Sequence, residues 1–120
     1  MNLNDLEIAI INEIIDEHKL RVPELRSQFQ NLRVIQRKYT GIGIYVNFDL
    51  DKQSDIYHTS EKQMEVLGSS TSFYLDALEY EIAYELNLTK TGKFQFIEIV
   101  SNEGDWKGNY NSFEKRENGT

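Results

Sequence analysis

Arg37-Lys38-Tyr39-Thr40-Gly41-Ile42-Gly43-Ile44-Tyr45-Val46-Asn47-Phe48 is the stretch whose reading decides the fold of this chain. Ile42, Ile44, Val46, Phe48 and Leu50 fall on alternate residues, with Gly43, Tyr45, Asn47 and Asp49 between them. A period of two is that of an antiparallel strand with one face in the core and one toward water. Residues 32–39 precede it as a second strand. Thr40-Gly41 is then either a two-residue hairpin loop or, with Gly43, the mark of a bulge in one bent strand. A tight hairpin would set Arg37 beside Ile44 and Ile35 beside Val46, a mixed pairing, so both readings stay open.

On the N-terminal side the period changes to that of a helix. Asn4 and Glu7 have capping-box spacing, and Leu3, Leu6, Ile10, Ile11, Ile14, Ile15 and His18 form an apolar stripe opposite Glu13, Asp16 and Glu17. Pro23 ends this element and suits the first turn of a second helix, whose buried side is Leu25, Phe29 and Leu32.

On the C-terminal side residues 51–60 read as loop, and residues 61–67 and 72–78 as weaker strands joined near Gly68-Ser69-Ser70. Residues 80–100 read as a hairpin closed by Lys90-Thr91-Gly92, with Gly92 left-handed. Thr89 opposite Lys93 then sets Leu88 against Phe94, Leu86 against Phe96, Tyr84 against Glu98 and Ile82 against Val100. This register sends Glu98 to the apolar face, where Tyr84 or Arg37 would have to hydrogen-bond it. The expected fold is α+β: two N-terminal helices on one face of a mainly antiparallel sheet of about five strands. Residues 1–107 form the domain and residues 108–120 a polar tail expected to be disordered.

Composition narrows the function classes. The chain has 120 residues, enough for one core without staples, and its lack of cysteine excludes disulfides, thiol catalysis and zinc–thiolate sites. No cationic segment and apolar run open it as a signal peptide would, and no apolar stretch nears the roughly 20 residues of a membrane span, so a cytoplasmic protein is expected. The net charge of −7 is uneven: Lys19, Arg21, Arg26, Arg33, Arg37 and Lys38 crowd one early segment, whereas acids dominate residues 49–105. That field disfavours nucleic acid and favours a basic partner.

No nucleophile–base pair, metal-ligand cluster or phosphate loop is present at recognisable spacing. His18 and His58 are unlinked, so no metal or cofactor is expected, and Gly41 and Gly43 precede a strand instead of opening a phosphate-binding helix. The tyrosines suit either half-buried sheet faces or partner contacts.

The run from Arg37 to Gly43, followed by Glu98 and by Glu103-Gly104-Asp105-Trp106, resembles a group of small, functionally uncharacterised bacterial α+β proteins. Their shared motif is Arg-x-aromatic-Thr-Gly-x-Gly before an apolar strand. Glu81 and Ala83 depart from the glycine-rich residues of that group, and the resemblance implies a fold but no catalytic residue. The functional expectation is non-enzymatic binding of a basic protein, in the manner of an immunity protein or antitoxin, with Tyr39, Tyr45, Glu81, Tyr84, Glu85, Glu98 and Trp106 as candidate contacts. The alternatives are a small-ligand or enzyme pocket around Glu98 and a structural homodimer.

Overall fold

A computed structural model describes residues 1–18, 22–53 and 65–117. Helix α1 (Asp5–Glu17) begins with the expected capping box: the Asn4 side chain accepts from the Glu7 amide at 2.8 Å, and the Asn4 amide donates to the Glu7 carboxylate at 2.9 Å. Helix α2 (Val22–Phe29) follows. The main sheet contains β1 (Val34–Tyr39), β2 (Gly43–Phe48), β3 (Glu65–Leu67), β5 (Ala83–Leu88) and β6 (Phe94–Val100), in the order β1-β2-β6-β5-β3 with all pairings antiparallel. Ile10, Ile11, Ile14 and Ile15 of α1 lie in one core with Ile44, Val46, Leu86, Leu88, Ile97 and Ile99 of the sheet, so the helices cover one face of it.

The remaining strands form a second, two-stranded sheet, β4 (Ser72–Leu75) with β7 (Phe113–Arg116). Two expectations are corrected here. Residues 72–75 leave the main sheet, and residues 113–116 are a strand, not part of a disordered tail. Polar composition misled because β7 is held by discrete contacts: Phe113 packs on Phe73, and Lys115 pairs with the buried Glu13 at 2.8 Å. Glu13, expected on the exposed side of α1, is thereby only 7% accessible.

The β1–β2 connection is a hairpin, with its loop one residue later than expected. Tyr39 faces Ile44 and Thr40 donates to the Gly43 carbonyl at 3.0 Å, which leaves Gly41-Ile42 as the loop. Gly41 has φ +93, a conformation that favours glycine at the first position of the loop. Gly43 serves close strand approach: a Cβ there would meet the Ile99 carbonyl oxygen at 2.2 Å. The turn is tied to the C-terminal segment by Trp106, whose amide donates to the Gly41 carbonyl at 2.8 Å.

The β5–β6 hairpin closes as expected: Gly92 has φ +85, Thr89 faces Lys93, and Leu88 faces Phe94. Beyond that the register changes by one residue. Asn87 faces Phe96, Leu86 faces Ile97, Glu85 faces Glu98 and Tyr84 faces Ile99, with Gln95 as the extra residue of a β-bulge. The expected pairs Leu86–Phe96, Tyr84–Glu98 and Ile82–Val100 are therefore not formed. The bulge spares the core a carboxylate, because Ile97 and Ile99 turn inward while Phe96 and Glu98 turn out. Backbone groups beside it are satisfied by a side chain acting as a short piece of strand: Gln53 donates to the Phe94 carbonyl and accepts from its amide, both at 2.8 Å.

Candidate functional site: the outer face of the main sheet

The bulge sets up a face that no apolar stripe demands. Along one row, Lys38 of β1 faces Tyr45 of β2, Tyr45 faces Glu98 of β6, and Glu98 faces Glu85 of β5. The next row is Gln36, Asn47, Phe96, Asn87 and Val66. Every residue of these two rows is exposed or only partly buried, whereas the inward residues between them on β2, β5 and β6 are nearly all buried. Val66 is 55% accessible.

The face has an aromatic centre flanked by acid. Tyr45 and Phe96 stack edge-to-face with ring centroids 5.5 Å apart. Hydrogen bonding to Glu98, reinforced by that carboxylate's charge, holds the Tyr45 hydroxyl above its usual pKa. Glu85 and Glu98 stand directly opposite each other, a like-charge pair that costs stability in an antiparallel sheet. Among the described residues neither has a lysine or arginine at ion-pair distance.

Two nearby arginines are already used. Arg37, the suggested partner of Glu98, instead forms a bidentate pair with Glu7 at 2.7 and 2.8 Å on the core side. Arg26 binds Asn12 and Asp16 of α1.

The candidate contacts thus divide. Tyr45, Glu85 and Glu98 share the outer face. Glu81 lies before β5, exposed, in a groove beside the sheet edge. Tyr84 points to the core side, where its hydroxyl donates to the Thr71 carbonyl at 2.5 Å. Tyr39 is 56% accessible but sits on the other face of β1, against Gly108. Trp106 is 5% accessible and its indole donates to the Asn109 carbonyl, so it is a core residue. Sequence reasoning missed Phe96 as a surface residue. Its signal was the adjacent pair Phe96-Ile97, which breaks the alternation where the bulge falls.

The depression at Glu85 and Glu98 holds about 80 Å³, well below the roughly 300 Å³ at which small-molecule pockets begin. Among the described residues no group of three His, Asp or Glu is arranged to hold a metal ion. His18 contacts the Gly68 carbonyl, whereas His58 lies outside the described residues. No described helix is long and apolar enough to cross a membrane. Comparison with known proteins brings no match: no family model, curated protein or solved structure is significantly similar to this chain.

Proposed function

We propose that this chain is a non-enzymatic binding protein of the cytoplasm whose outer sheet face docks on a basic protein, as an immunity protein or antitoxin docks on a toxin. The observation that carries this reading is the row Lys38, Tyr45, Glu98, Glu85. A folded protein gains nothing from opposing two carboxylates at the centre of a sheet, and a cationic partner turns that cost into complementarity. Tyr45 and Phe96 add the rigid aromatic surface on which binding energy concentrates. At the acidic row itself the depression, about 80 Å³, is too small to enclose a substrate.

The partner to assay is a cationic protein, taken from a neighbouring gene where one is encoded there, titrated at low and moderate salt. Glu85→Lys with Glu98→Lys is expected to weaken binding at least tenfold at low salt and to flatten its salt dependence, because steering by opposite charge is lost. Exchanging one like-charge pair for another leaves folding within about 0.5 kcal/mol. Glu24→Lys on α2 serves as the control and should change neither quantity. Unchanged affinity and salt slope in the folded double variant would remove this face as the binding site.

A further inference from the structure

The outer face does not end at the edge of β5. The ladder between β3 and β5 stops at Leu67–Leu86, and the next bond on that side is from the Ile82 amide to the Phe73 carbonyl of β4, at 3.0 Å. Between them no described strand pairs with residues 83–85 on the side away from β6. The chain leaving β3 is drawn toward α1: Glu17 accepts from the Ser70 amide at 2.7 Å and from the Ser70 hydroxyl, and the His18 ring meets the Gly68 carbonyl at 3.3 Å. The Ser70 bonds, side chain first, hold Glu17 below the usual carboxylate range. The contact is therefore fully present above that range and is lost as pH falls through the lowered value.

What remains is a groove of about 450 Å³, walled by residues 69–72 and 81–84 and bordered by Asn102. The small depression at Glu85 and Glu98 shares Ala83 and Tyr84 with it, so groove and acidic face are continuous. Its lining is rich in acceptors. Asn102 donates its Nδ2 to the Glu81 carbonyl at 2.8 Å, which leaves its Oδ1 as an acceptor, and the exposed Glu81 lines the groove with it. Among the described residues no lysine, arginine or histidine lines the groove. The negative field there is felt by the Tyr84 hydroxyl, raised above its usual pKa first by burial and then by the charges of Glu17, Glu13 and Glu81.

We infer that this groove receives an arginine side chain of the basic partner, its guanidinium at Glu81 and Asn102 and its methylene stem along Ala83. The inference rests on the proposed function and deepens it. A guanidinium supplies five donors in a planar fork and no acceptor, which suits a carboxylate beside an amide oxygen. Its aliphatic stem suits the Ala83 methyl group, which the groove shares with the acidic face.

The test uses the full chain, labelled with nitrogen-15, titrated at low salt with acetyl-triarginine amide, acetyl-tricitrulline amide and acetyl-trilysine amide. Citrulline keeps the shape of arginine without its charge. The triarginine peptide is expected to give saturable amide shifts at Ser69, Thr71, Ala83 and Asn102. The citrulline peptide should give none, and binding of triarginine should fall at least fivefold in Glu81→Gln and in Asn102→Leu. Equal shifts with citrulline, equal binding of trilysine at the groove, or shifts confined to Tyr45, Phe96 and Glu98 would overturn the inference. If the natural partner loses affinity for the Glu85→Lys, Glu98→Lys protein but binds Glu81→Gln and Asn102→Leu normally, the groove inference falls while the proposed function stands.

Discussion

Replacing Glu7 by alanine is expected to cost about 2–3 kcal/mol in a urea titration, because it leaves a partly buried guanidinium without its counter-charge. Glu7 is 1% accessible and the Arg37 side chain 19%, and their two hydrogen bonds at 2.7 and 2.8 Å are the strong bidentate kind. Arg37 also donates to the Asn2 carbonyl at 2.9 Å, so one side chain joins β1, α1 and the segment before it. The same substitution removes the return half of the capping box. The two losses separate in Glu7→Gln, which keeps an oxygen for the Asn4 amide but loses the charge. An alanine variant destabilised by less than about 1 kcal/mol would show that solvent already satisfies Arg37.

Ile14→Ala is the second large effect, expected at about 2–5 kcal/mol. Ile14 is fully buried at the centre of the stripe that α1 lays against the sheet, and no polar contact compensates for its loss. Chemical denaturation should show the midpoint falling with little change in slope. A loss below about 0.5 kcal/mol would mean that the helix stripe does not build this core.

Both effects bear on what could be read from residues alone. The α1 stripe, its capping box, the alternation of β2 and the left-handed Gly92 were legible because each rests on spacing within a few residues. The identity of Arg37's partner was not, since Glu7 lies thirty positions away and only the folded topology brings it near. The same distance hid β7, whose polar residues have no strand pattern but meet β4 and Glu13.

The bulges were the least legible feature and the one with the largest consequence. Alternation in Phe94-Gln95-Phe96-Ile97-Glu98-Ile99 supports two faces, one through Phe94 and Phe96 and one through Ile97 and Ile99. The turn chemistry at Gly92 fixes only the first pairs, and the cost of burying Glu98 selects the change of face. A similar bulge at Ile35 leaves that side chain 60% accessible while Arg37 turns toward Glu7. In the motif from Arg37 to Gly43, each unusual residue serves the structure. Arg37 makes the ion pair, Gly41 the turn, and Gly43 allows the approach of β2 to β6. The candidate site therefore lies beside the motif, on Tyr45, Glu85 and Glu98, and not within it.

The acidic face exists only if the β5–β6 register changes at Gln95, so the cross-strand contacts of Leu86 are the most direct measure of both fold and site. A nuclear Overhauser experiment on selectively labelled protein would read them. Leu86 methyl contacts with Ile97 and Tyr45 ring contacts with Phe96 are expected, because Ile97 faces the core and Phe96 the solvent. Contacts from Leu86 to the Phe96 ring, with the Glu98 side chain near Tyr84, would place the carboxylate in the core and contradict both the fold and the function drawn from it.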